Sequence, residues 1–211
     1  MIDYQCVCLL SLGITVFLKW SGLRARTLEI AAVGCVTAQW WASNQLPYFV
    51  DRSFSAELAG LLTGALLGGG VLFVTTSLTH GLPKATVKEL GGAILRPVLP
   101  SVYLVVTASA EEIIWRGAVM CTTTTCLRKA SVPLVPSSVL AATGILVVNG
   151  MFVGLHSGVT KARLWQVFEL YLFFLVVSAS VYFSHSLIVG IGMHVTRNYI
   201  ITALKEVRPS G

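Results

Sequence analysis

Apolar and polar residues do not alternate along this chain. Apolar residues instead run in stretches of about 20, the length an α-helix needs to cross the hydrocarbon core of a bilayer. Seven such stretches are predicted as membrane-spanning helices, at roughly 4–20, 28–50, 56–79, 98–121, 134–157, 165–183 and 185–205. Strands of a membrane β-barrel would show short alternating segments, and the sequence has none. The expected fold is all-α, a polytopic transmembrane helical bundle of about seven spans. It forms a single integral membrane domain over residues 1–211.

Composition agrees with lipid as the solvent. Of 211 residues, 55% are hydrophobic and 11% charged, with a mean hydropathy of +0.79. Soluble domains carry about 25% charged residues, so these charges could not cover a water-facing globule. The five cysteines, Cys6, Cys8, Cys35, Cys121 and Cys126, form no CxxC pair and fall mostly within apolar runs. They read as small apolar filler rather than as a metal or disulfide framework. The start, Met1-Ile2-Asp3-Tyr4, lacks the basic region of a secretory signal, so the first stretch is expected to be a retained helix.

Charge placement orients the bundle. Lys19, Arg24 and Arg26 follow the first stretch, and Lys84, Lys88 and Arg96 precede the fourth. Lys161 and Arg163 precede the sixth, and Lys205 and Arg208 close the chain. The opposite side collects Arg52, Arg128 and Lys129 beside Asp3, Asp51 and Glu57. The positive-inside rule then predicts an N-terminus outside and a C-terminus in the cytoplasm, in agreement with seven spans. The net charge of +6 is thus a topology signal, and no nucleic-acid partner is expected. The expected location is the prokaryotic cell (inner) membrane, and the expected partners are the lipid bilayer and a membrane-associated substrate. Segment 82–96 reads equally well as an amphipathic surface helix or as a loop. Gly60, Gly64 and Gly68, and again Gly150, Gly154 and Gly158, put small residues on one helix face. Such triplets let another backbone approach, within the chain or across a dimer.

A few polar residues inside the apolar stretches demand a reason. Glu111 and Glu112 sit near the middle of the fourth stretch, where one acid costs about 2.5–3.5 kcal/mol on insertion scales. Arg116 follows Glu112 by four residues and can pair with it on one helix face. Glu111 points about 100° away, which leaves it available for chemistry. The fifth stretch brings Asn149, Phe152 and His156 to one face, and the seventh carries His194 and Asn198 four residues apart. Taken singly, His156 reads as an interfacial residue, and both acids could serve only as structural ion-pair partners. Taken together, a carboxylate, two imidazoles and an amide are sufficient to hydrolyse a peptide bond. The carboxylate takes a proton from water, an imidazole orients that water, and His and Asn donors stabilise the oxyanion. Glu169, Trp165 and His185 are expected at the membrane interface.

Three motifs carry a resemblance. Glu111-Glu112-Ile113-Ile114-Trp115-Arg116 matches EExxxR, Phe152 to His156 matches FxxxH, and His194 to Asn198 matches HxxxN. In this order they resemble the CPBP family of intramembrane proteases, which includes CAAX prenyl proteases and bacterial Abi proteins. The resemblance covers a catalytic core over about 97–205. It implies that Glu111 is the general base, acting with His156 on the attacking water. It further implies that His194 and Asn198 hold the oxyanion, that Glu112, Arg116 and Phe152 support the site, and that the glutamic mechanism uses no metal or other cofactor.

Three other readings stay open on the sequence. One is a zinc peptidase using His156, His194 and a glutamate, although no HExxH spacing is present. Another is a non-catalytic immunity or partner-binding membrane protein on the same fold. The third is a transporter relaying protons through the acids, although the broken helix pairs of transporter repeats are not seen.

Overall fold

The computed structural model describes residues 53–80, 102–121, 123, 124, 127, 135–154 and 164–207. The predicted spans at 4–20 and 28–50, the segment 82–96 and His156 lie outside the described residues. Five α-helices are described: α1 Phe54–His80, α2 Val102–Glu112, α3 Ser137–Gly154, α4 Leu164–Ser184 and α5 Leu187–Val207. A π-helical stretch, Ile113–Met120, continues directly from α2. No strand occurs among the described residues. Within these helices, Ser55–Thr75, Ser137–Gly154 and Leu164–Ser184 are long and apolar enough to cross a membrane.

Local chemistry explains several of the boundaries. Before α1, Ser53 Oγ accepts from the Ala56 amide at 3.4 Å, and its carbonyl accepts from Ala56 and Glu57. These bonds satisfy amide groups that a helix start leaves open. Glu57, in the first turn, suits the positive end of the helix dipole. The Pro136 carbonyl accepts from Val139 and Leu140 at the start of α3. His185 ends α4 with a φ of 50°, the left-handed conformation in which many helices stop. The Ser186 amide then donates to Ser184 Oγ at 3.2 Å. So short a connection makes α4 and α5 an antiparallel hairpin.

α5 is the helix around which the others gather. It packs on α1, α2, α4 and the π-helical stretch, while α3 packs on α4 and on the π-helical stretch. Each span buries one stripe and leaves another face apolar and exposed. In α4 the stripe is Leu170, Phe173, Phe174, Val177, Ser178 and Val181, at the three- and four-residue spacing of one helix face. Val176 and Phe183 of the same helix are exposed. Apolar outer faces suit lipid, which is as apolar as leucine.

The first glycine triplet is used inside the chain. A Cβ on Gly64 would collide with the Val189 carbonyl of α5, and one on Gly68 would lie 2.7 Å from the Cα and the carbonyl oxygen of Met193. From the other side, a Cβ on Gly192 would come 2.6 Å from the Leu61 carbonyl oxygen. The two backbones therefore touch, which only residues without Cβ permit. Gly150 and Gly154 of the second triplet meet nothing within 4 Å. Gly68→Ala should accordingly lower the midpoint of thermal unfolding in detergent, by an overpacking cost of about 1–3 kcal/mol. Gly150→Ala should leave the midpoint unchanged or raise it slightly, because alanine is the better helix former by about 0.5–1 kcal/mol. Equal effects of the two substitutions would contradict this packing.

Candidate active site

Glu111 and Glu112 are the last two residues of α2, immediately before the backbone widens into the π-helical stretch. Stretches of this kind are rare and are often found at functional sites. The two acids differ in exposure: the Glu112 side chain is 0% exposed and that of Glu111 18%. Arg116 donates from a terminal nitrogen to Glu112 Oε1 at 3.2 Å, the four-residue pairing expected from spacing. Glu111, which spacing leaves without a partner on its own helix, meets one from another helix. His194 of α5 presents Nε2 to Glu111 Oε2 at 3.5 Å and Nδ1 to Glu112 Oε1 at 2.9 Å. One imidazole thus bridges both carboxylates. The distance along the sequence, 82 residues between Glu112 and His194, is why helix-local reasoning could not see it.

Arg116 is 1% exposed, and a guanidinium in such surroundings is costly unless paired and hydrogen-bonded; its Nε and one terminal nitrogen are bonded, while Nη2 is buried without a hydrogen-bond partner. Its Nε donates to Ser178 Oγ of α4 at 3.2 Å. Its central carbon lies 4.3 Å from the Phe152 ring centroid and 4.9 Å from that of Phe174. Desolvated contacts of a cation with an aromatic face contribute about 2 kcal/mol or more. Phe152, the phenylalanine of FxxxH, therefore supports the arginine. The two rings also shape the histidine pocket. Phe174 meets the imidazole edge-on at 4.8 Å, and Phe152 lies 6.4 Å from it.

Gly190 explains how a carboxylate fits against α5. A Cβ there would stand 3.1 Å from Glu112 Oε2 and 2.6 Å from a methyl of Val181. Asn149, 0% exposed, donates its amide to the Tyr171 carbonyl at 2.9 Å and so ties α3 to α4. Asn198, half-buried, stands one turn beyond His194 on α5. Among the described residues no three His, Cys, Asp or Glu side chains gather as a metal site. The zinc alternative requires His156, outside those residues.

Several participants carried no strong sequence signal. Ser178 and Phe174 lie in an apolar span where serine costs little and phenylalanine is common. Glu169, expected at the interface, accepts from Arg197 of α5 at 3.3 Å and is mostly buried. An acid and an arginine inside two apolar stretches were a visible signal, but their pairing was not.

Two acids meeting one histidine inside a helical bundle suit both a hydrolase and a proton carrier, since ionisable groups within a membrane are usually functional. Comparison with protein families decides between them. The model of the type II CAAX prenyl endopeptidase Rce1-like family matches residues 94–200, just over half of the chain. The chain belongs to this family, as the three motifs led one to expect. It is thus an integral membrane protein of a protease family, with a membrane-associated protein as the implied substrate. Comparison with curated proteins and with solved structures finds no match.

The pairing of Arg116 with Glu112 makes a stability prediction. Removing one partner leaves the other charge buried without its ion pair, and breaking a buried pair costs about 3–5 kcal/mol. Glu112→Gln and Arg116→Ala should both lower the unfolding midpoint or the folded yield in detergent. Both variants unfolding at the parent's temperature would refute the pairing as a structural support.

Proposed function

We propose that this protein is an intramembrane glutamic endopeptidase that cuts a peptide bond of a membrane-associated or lipidated protein. The observation that carries the reading is one imidazole, that of His194, between Glu111 and Glu112 in a pocket sealed by Arg116 and two aromatic rings. Family membership adds the reaction class.

Glu111 is the general base, the more exposed acid and so the one that water can reach. It takes a proton from water as the oxygen attacks the scissile carbonyl, and the carbonyl electrons move onto the oxygen. His156, from FxxxH, orients that water. The contact of His194 Nδ1 with Glu112 fixes the ring, and Nε2 donates to the developing oxyanion. The Asn198 amide is the second donor. Donors aimed at developing charge are each worth about 10²–10³ in rate. The proton on Glu111 then passes to the leaving amine nitrogen as the C–N bond breaks, releasing an amine and a carboxylic acid that ionises in water. Glu112, Arg116 and Phe152 hold the histidine without touching substrate. No metal enters this scheme.

The assay is cleavage of a lipidated C-terminal peptide by purified protein in detergent or nanodiscs. Glu111→Gln keeps the shape and removes the base, so kcat should fall by about 10²–10⁴. Cleavage should survive thorough treatment with EDTA or phenanthroline. Undiminished turnover by the Glu111→Gln protein would end the assignment, and activity lost with zinc and regained with zinc would replace it by the metallopeptidase.

The same reading gives seven spans in a prokaryotic inner membrane, with the N-terminus outside and the C-terminus in the cytoplasm. Its support is the distribution of lysine and arginine between loops. Single cysteines at Ser53 and at Lys161, in a cysteine-free background, address opposite sides. In intact cells an impermeant thiol reagent should label the first and spare the second; the reverse pattern would invert the topology.

A further inference from the structure

A second pair of opposite charges lies within the bundle, apart from the acids and Arg116. Glu169 of α4 accepts from Arg197 of α5 at 3.3 Å, with side chains 12% and 10% exposed. Exposed ion pairs contribute little, but each of these charges would stand in mostly apolar surroundings without the other. The Arg197 guanidinium lies 5.2 Å from the Phe173 ring centroid and 5.8 Å from that of Phe174. Phe174 is the same ring that meets His194 edge-on at 4.8 Å and lies under Arg116 at 4.9 Å. One fully buried aromatic side chain therefore touches both charged clusters. Arg197 follows His194 by three residues, so the two share a face of α5.

The position of the His194 ring depends on the rotation of α5. A turn of one residue, about 100°, would carry the imidazole away from both carboxylates. The glycine contacts with α1 set how closely two backbones approach. Apolar contact with α4 is non-directional, so it constrains rotation weakly. A hydrogen-bonded ion pair is directional.

We propose that Glu169 and Arg197 are a positioning pair for the hydrolytic site: their ion pair, acting through Phe174, fixes the rotation of α5 against α4 and holds the His194 ring between Glu111 and Glu112. Neither residue contacts the reacting atoms. The inference rests on the reading of His194 as a participant in hydrolysis, and it predicts a geometric effect separable from that reading.

The test uses the full chain in nanodiscs with two measurements. One is kcat and KM on the lipidated peptide. The other is the ¹⁵N spectrum of the imidazole nitrogens in histidine-labelled protein, with the His194 signals assigned by their loss in His194→Gln. Misplacing a reacting group by about 1 Å can cost about 10²-fold. Glu169→Gln and Arg197→Gln should therefore lower kcat by about 10-fold or more with KM nearly constant, and should shift or broaden the His194 signals. Arg197→Lys should retain most of both. The exchange Glu169→Arg with Arg197→Glu should recover both at least in part, and it decides the matter if a neutralised variant does not fold. Parent-like kcat and His194 signals in the folded single variants would overturn the proposal, as would a folded exchange variant with no recovery. If the parent cleaves no peptide, the hydrolase reading fails, while the His194 signals still decide whether the pair positions the ring.

Discussion

A guanidinium buried in an apolar interior has to be answered by the groups around it, and Arg116, 1% exposed, sets the terms for this bundle. Its answers come from three helical segments besides its own turn: Ser178 and Phe174 from α4, Phe152 from α3, and Glu112 from the end of α2. Glu112 in turn reaches α5 through His194. The requirement to satisfy one charge therefore specifies how four helices stand relative to one another. In water such a network would compete with solvent. In lipid there is no solvent to compete, and an unmatched polar group costs several kcal/mol.

Two different physical devices assemble the described helices. α1 and α5 meet through the missing Cβ atoms of Gly64, Gly68 and Gly192, so dispersion between close backbones holds them. Near the site, polar and directional contacts join the apolar packing: His194 to the two acids, Asn149 to the Tyr171 carbonyl, and Glu169 to Arg197. Close backbone packing sets distance, and hydrogen bonds set rotation. The His194 contacts need both, because an imidazole at the right depth but turned aside meets neither carboxylate. Gly190 joins the two devices, since the absence of its Cβ lets the Glu112 carboxylate rest against α5.

Much of this was readable along the chain. Long apolar stretches can only be helices or closed barrels in a bilayer, and the helices α1, α3, α4 and α5 fall within a few residues of predicted stretches. Glu111, Glu112, Arg116 and His194 stood out because lipid makes every polar residue in an apolar run expensive. The Glu112–Arg116 pair was legible because it is helix-local. The π-helical stretch after Glu112 was not, since its residues Ile113 to Met120 carry no marker distinguishing it from an α-helical span.

What the sequence alone determined was the solvent, the helical class, and which polar side chains need a reason to be there, because each follows from one residue's cost in hydrocarbon. The tertiary structure decided which faces turn inward, since Leu66 at 79% and Leu72 at 4% exposure are the same residue type on one helix. In water, polarity would mark the outer face; in lipid both faces are apolar and the pattern is silent. The tertiary structure also decided that His194 bridges both acids, that Ser178 and Phe174 complete the arginine pocket, and that Glu169 meets Arg197. Such contacts join residues far apart in the chain, and they exist only once the helices have chosen a rotation.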